Sequence, residues 1–286
     1  MSWEERNRDL LERSRAYVLE FKDEKPPVFE NFAGGADPLF PLELNSDRGV
    51  GLLLFFSALC QNISEERLVR VLAYLWKQYG TDMFRLNRLA FDDLHGRIMA
   101  LTDLHDWPLW TRTSGVLRSV GDFFFKYGPL VPWVYAKGDG EACVEVLCEE
   151  IFMMGKTSAF RGKARHFLWM LTQIDSVEPS RFWTPRTRLA PTLGHGRFLR
   201  EFGPLKGRKS APWTTPEEKL DFYNRYFRML YPSTPWVVFL ALDAFMKPQP
   251  GYHRAPGAPP PEWQCRKVVR GCPNCPLAPE CPGRDF

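Results

Sequence analysis

Four cysteines, Cys265, Cys272, Cys275 and Cys281, fall within the last twenty-two residues with the spacing C-x6-C-x2-C-x5-C. Thiolates crowded into so short a stretch can wrap one compact inorganic centre, so this end of the chain is expected to be an irregular loop. Cysteine-only ligation of this density suits a [4Fe–4S] cubane, in which each iron takes one thiolate. A structural zinc site is an alternative, but zinc loops usually present two C-x2-C knuckles, and only Cys272 and Cys275 are so spaced. Disulfides are a third. The favoured expectation is a [4Fe–4S] cofactor. The loop is reached through PQPGYHRAPGAPPP, residues 248–261, which suits neither a helix nor a central strand and reads as a stiff extended connector.

Upstream of the connector, helical periodicity dominates. Within 51–79, Leu52, Phe55, Phe56, Leu59, Ile63, Leu68, Val71, Leu72 and Leu75 recur at three- and four-residue intervals, interrupted by CQNISEE. This predicts two helices, the second capped by Asn62 or Ser64 with Glu65 and Glu66 in its first turn. Thr215-Pro216-Glu217-Glu218 combines a capping box with proline at the first helical position and opens a helix through Tyr231. Thr234-Pro235 opens another through Val238, Leu242 and Phe245. Residues 92–101, 109–127, 141–152 and 162–173 are helical by pattern. Gly128-Pro129, the KGDG of 137–140 and the long irregular stretch 176–196 separate the helices. The predicted class is all-α, with no internal repeat.

A chain of 286 residues, 44% hydrophobic and 25% charged, is ordinary globular material. No run approaches a membrane span, and the amino-terminal segment mixes charge signs at helical spacing without the apolar core of a secretory signal. The protein is therefore expected inside the cell, in the cytoplasm with the nucleoid, as a monomer. Cys60, Cys143 and Cys148 sit in helical patterns and read as small core residues. Charge is uneven: residues 156–209 hold twelve Lys or Arg against Asp175, Glu178 and Glu201. That local balance of +9, in a chain of net charge +4, leaves −5 elsewhere and predicts a site for a polyanion such as DNA or RNA.

The cysteine spacing resembles the iron–sulfur loop of the endonuclease III and adenine-mismatch branch of the helix-hairpin-helix DNA glycosylases. The resemblance implies that the basic residues between the first two cysteines, Arg266, Lys267 and Arg270, meet DNA phosphates; alternatively they offset the charge of the cluster. LLFFSALCQNI, residues 53–63, is similar to an early glycosylase helix whose terminal glutamine fills the space left by an everted base, which implies that role for Gln61. Residues 107–127 resemble the family helix with glycine, a basic residue and a long apolar run. Residues 144–171 occupy the place of the hairpin motif, whose backbone N–H groups meet a phosphate. The family hairpin is leucine-proline-glycine-x-glycine; here it is a longer FMMGKTSAFRGK, with Gly155 and Gly162 seven apart, and Lys156 and Lys163 as the cations.

Lys163 stands where bifunctional members carry the lysine that attacks C1′ of a damaged nucleotide, with Arg161 and Arg165 as neighbouring cations to favour its neutral form. The alternative is a phosphate-binding lysine. The resemblance places Arg197 as the arginine of a helix over 196–202 and puts the expected aspartate on Thr192, or on Pro191 or Leu193. A hydroxyl cannot supply that charge, so Asp175 or Glu178 of the preceding loop, or His195 as a base, would have to substitute. Trp107, Trp110, Trp169 and Trp183 are candidates for a stacking wall or for the core. The fold implied is a two-domain glycosylase-like one: a helical barrel over 47–160 leading into the hairpin, and a second helical domain of 1–46 plus 161–286 ending in the loop 265–281. The function implied is eversion and excision of a damaged or mismatched base in base excision repair. The alternative is a non-catalytic nucleic-acid-binding protein that has lost the aspartate.

Overall fold

The computed structural model describes residues 3–36, 38–60, 64–245, 247–248, 263–264, 275–277, 279 and 281. The described residues form an all-α protein. Its helices are α1 (Trp3–Arg6), α2 (Arg8–Leu19), α3 (Asp47–Leu59), α4 (Glu65–Tyr79), α5 (Phe91–Met99), α6 (Trp110–Tyr127), α7 (Leu130–Lys137), α8 (Gly140–Glu150), α9 (Gly162–Leu171), α10 (Leu193–Phe202), α11 (Pro216–Leu230) and α12 (Val238–Ala244). A two-residue antiparallel ladder joins Lys247–Pro248 to Trp263–Gln264. The chain divides into two compact units, Lys25–Arg188 and Met1–Glu24 with Leu189–Phe286. The first reaches further than the 47–160 drawn from the sequence, because α9 packs on α3 and α8.

Within Lys25–Arg188, α3 is the central helix. Ser46 caps it by accepting the Gly49 N–H at 3.0 Å, and every residue from Gly49 to Leu59 is buried. Helices α4, α6, α7 and α9 pack around it, as expected for a helix apolar on all sides. Helix α4 is amphipathic, burying Leu68, Val69, Val71, Leu72 and Leu75. Its cap is Ser64, one of the two residues expected, with Glu65 and Glu66 in the first turn. Helix α7 was not anticipated: eight residues between Pro129 and a left-handed Gly138 are too short to show a period.

In the second unit, α2 ties the others together. Arg15 donates to the terminal carbonyls of α11, to Met229 O at 2.7 Å and Leu230 O at 3.2 Å, where a helix leaves acceptors without intrahelical donors. Tyr17 Oη donates to Ala241 O of α12 at 3.2 Å. Helix α11 begins with the expected capping box: Thr215 accepts the Glu218 N–H, and Glu218 accepts the Thr215 N–H. Glu218 also accepts from the Thr214 N–H at 2.6 Å, and that bond, followed by those from the Thr214 hydroxyl and the Thr215 N–H, holds its carboxyl below the usual range. Helix α10 starts at Leu193, earlier than the predicted 196, because Thr192 caps it in a box with His195.

Candidate functional site

Lys163 is the second residue of α9, and the hairpin of residues 151–161 delivers it from α8. This connection holds three residues with positive φ: Met153 at 67°, Gly155 at 103° and Arg161 at 47°. Glycine adopts such angles freely, whereas the two side-chain-bearing residues do so at a cost of about 1–2 kcal/mol each. They persist because the surroundings impose them. The Phe152 N–H donates to Ser119 Oγ at 3.0 Å, and its ring lies where a Cβ on Gly115 would come within 2.8 Å, so α6 holds the start of the hairpin. Ser158 donates to Gly155 O and Arg161 to Ser158 O, closing two turns. Arg161 is the N-cap of α9 and contributes no side-chain cap.

The Lys163 amine lies at the end of α3, where Nζ donates to Ala58 O at 2.6 Å. That carbonyl belongs to the last turn of α3, an end that attracts a cation. Burial opposes the charge and dominates: the amine is pushed down to about 8, with Cys60 acting to raise it and Arg112 to lower it further. On the order of one molecule in ten then carries a neutral amine at pH 7, against fewer than about one in a thousand for an ordinary lysine. Burial pushes the Cys60 thiol up, Lys163 pulls it down and Glu65 pushes it up again. Arg112 is exposed on α6, one turn before Gly115 and two before Ser119, on the face that receives the hairpin. The arrangement places a partly neutral amine beside the cation of Arg112.

Compared with family models, curated proteins and solved structures, the chain matches none.

Lys163 meets the segment that ends in LCQN, but Gln61 itself lies outside the described residues, as do Cys265, Cys272, Arg266, Lys267 and Arg270. Cys275 and Cys281 are half-buried on either side of buried Leu277. Among the described residues no group of three or more His, Cys, Asp or Glu is placed to hold a metal ion. Gly162 is the first residue of α9, and Lys156 is exposed, 3.9 Å from Glu149.

Asp175 does not meet Lys163. It follows the far end of α9, and the helix alone puts about 12 Å between Lys163 and Leu171. Its side chain is 90% exposed and pairs with Lys25 at 2.6 Å. Glu178 precedes a short 3-10 turn, its N–H donating to Tyr135 Oη at 2.6 Å. Thr192, His195 and Arg197 belong to the other unit. His195 is not a base waiting in a loop: it is fully buried, Nδ1 accepts the Thr192 N–H at 3.2 Å, and Nε2 lies 3.1 Å from Phe239 O. Burial lowers the pKa of Arg197 on α10.

Two expectations about charge are corrected. Arg165 does not act as a free cation beside Lys163, because Glu141 neutralises it; burial and Arg112 act on the amine instead. Nor is 156–209 an unbroken basic surface. Asp139, Glu141 and Glu149 pair with Arg186, with Arg165 and Arg188, and with Lys156. Cys143 and Cys148 are core residues as read, burial pushing their thiols up to about 12 and about 11; Cys60 is instead half-buried and faces Lys163. Trp107, Trp169 and Trp183 are buried, and Trp110 meets the His105 ring at 4.7 Å. Sequence reasoning missed Arg112 and the Glu141–Arg165 pair. The signal for the pair was Arg165 itself, a long cation on an otherwise apolar stretch of α9.

Proposed function

We propose that this chain is a glycosylase-like DNA-binding protein whose Lys163 forms an imine with the sugar of a damaged nucleotide. The observation that supports this reading is the half-buried Lys163 amine, at about 8, held on the carbonyl of Ala58 at the end of the segment that resembles the base-replacing helix. The neutral amine adds to the C1′ aldehyde of an opened abasic sugar, a C–N bond forms, the aldehyde oxygen leaves as water with both amine protons, and a proton from solvent gives the protonated imine. Arg112 and the N–H groups at the start of α9, which have no intrahelical acceptor, favour a phosphate beside that carbon. Cys265, Cys272, Cys275 and Cys281 would hold a [4Fe–4S] cluster, a donor set that fits by its chemistry, one thiolate for each iron. When bound, the cluster supplies a rigid anchor for the loop bearing Arg266, Lys267 and Arg270, which meet DNA phosphates in this reading.

A specific observation restricts the chemistry. Thr192 spends its hydroxyl as the cap of α10, and Asp175 is exposed and paired with Lys25, so neither supplies a carboxylate for hydrolysis of an intact glycosidic bond. Excision of ordinary oxidised or mismatched bases should be slow or absent, with binding retained. The test is borohydride trapping on a duplex with one abasic site: the wild-type protein should give a stable crosslink and Lys163→Ala none. Absence of a crosslink, with salt-dependent binding intact, would leave the non-catalytic binding protein as the correct reading.

A further inference from the structure

Behind the hairpin stands an ion cluster that imine chemistry does not use. Arg165, two residues past Lys163 and only 4% exposed, spends its guanidinium in three directions. Nε donates to Phe160 O at 2.9 Å, Nη2 to Glu141 Oε2 at 2.8 Å, and Nη1 to Arg188 O at 3.0 Å and to Glu141 Oε1. Glu141, 12% exposed in the first turn of α8, also accepts from the Arg188 N–H at 2.9 Å and from Arg188 Nη2 at 3.2 Å. Burial alone would raise its carboxyl; the bonds from Arg165 and Arg188 overcome that and hold it low. Breaking such a buried pair leaves an uncompensated charge, so opening the cluster is costly.

We propose that Glu141 and Arg165 are positioning residues for Lys163, pinning the Phe160 carbonyl and with it the left-handed turn at Arg161 from which α9 starts. The proposal rests on the reading of Lys163 as the reacting amine. Helix α9 lacks a side-chain cap, and its N-cap is a strained arginine, so its first turn has no capping side chain of its own. The tether from Arg165 to Phe160 takes its place. The groups that face the amine are Cys60 beyond α3 and Arg112 on α6, with Glu65 of α4 acting on Cys60. These three lie outside the clamp, so a change in the clamp reaches Lys163 through its position: a loosened first turn lets the amine return to water.

The test reads the amine without DNA. Competitive acetylation of the whole protein across pH, followed by mass spectrometry of the Lys163 peptide, should show a midpoint near about 8. Arg165→Lys keeps the charge facing Glu141 but loses the fork that reaches Phe160. It should move the midpoint up by at least about one unit toward the ordinary lysine value of about 10.4. Glu141→Gln, read in parallel, should do the same, while Arg186→Ala, an exposed pairing, should not. An unchanged midpoint in either folded variant overturns the proposal. If neither folds, hydrogen exchange of the wild-type protein decides: the Arg161 amide should exchange as slowly as α9, and fast exchange there overturns it. A midpoint near 8 without borohydride trapping fails the DNA reading instead, so the two failures are distinct.

Discussion

At the scale of single residues, the most telling cost in the molecule is the burial of Lys163. A folded-state value depressed to about 8 means that the unfolded chain binds the extra proton more tightly. The penalty is complete below about pH 8, shrinks as pH rises and vanishes by about 10.4, where both states are neutral. Lys163→Met should therefore stabilise the protein at pH 7 by on the order of 1 kcal/mol, after discounting for solvent screening, in denaturant unfolding. The gain should disappear near pH 10. A loss of stability at pH 7 would mark Lys163 as structural. His195 should behave in the opposite way: His195→Ala removes two buried bonds and an edge-on packing against Phe239, and should cost about 1–3 kcal/mol while leaving borohydride crosslinking by the folded protein unchanged. Sequence reasoning picked out both residues as titrating candidates. It could not see that one is boxed in by its own helix cap while the other faces a foreign helix end.

Among the elements, the hairpin between α8 and α9 decides most. Its two flanking helices are legible from their apolar periods, and Gly155 and Gly162 read as phosphate-binding residues of the hairpin between them. The path between them is not legible, because Phe152 is held by Ser119 and packs on Gly115 and the Phe160 carbonyl is held by Arg165, contacts that no local pattern announces. Gly155→Ala places a side chain at φ 103° and should destabilise the protein by about 1 kcal/mol or more in thermal or denaturant melts. It should also weaken borohydride trapping beyond what the stability loss explains, since the turn it strains leads into Lys163. Equal trapping per folded molecule would separate the hairpin from the site.

For the whole molecule, the cysteine spacing and the uneven charge each carry an expectation. Anaerobically purified protein should be brown with about four irons per chain, one per cysteine of the loop. One zinc and no sulfide would overturn that assignment. Replacing Arg266, Lys267 and Arg270 together with alanine should weaken DNA binding and flatten its dependence on log salt by roughly 0.9 for each phosphate no longer neutralised. An unchanged slope would remove the loop from the interface. The stretch 156–209 is a poorer guide to the polyanion surface than its local balance suggests, because four of its cations are matched by acids of 139–149. Charge counted along a chain and charge presented by a fold differ whenever pairing is remote.

Helix content, the caps at Ser64 and Thr215 and the buried run of α3 follow from local rules, since periodicity, capping and uniform apolarity act within a few residues. Four thiols within one short stretch of sequence are equally a property of the primary structure. The depressed amine of Lys163, the neutralisation of Arg165 by Glu141 and the separation of Asp175 from Lys163 are not: each depends on which helix end meets which. A carboxylate 24 residues upstream of Arg165 becomes its partner only when α8 and α9 are packed. The desolvation that lowers the Lys163 amine exists only where α9 meets the end of α3.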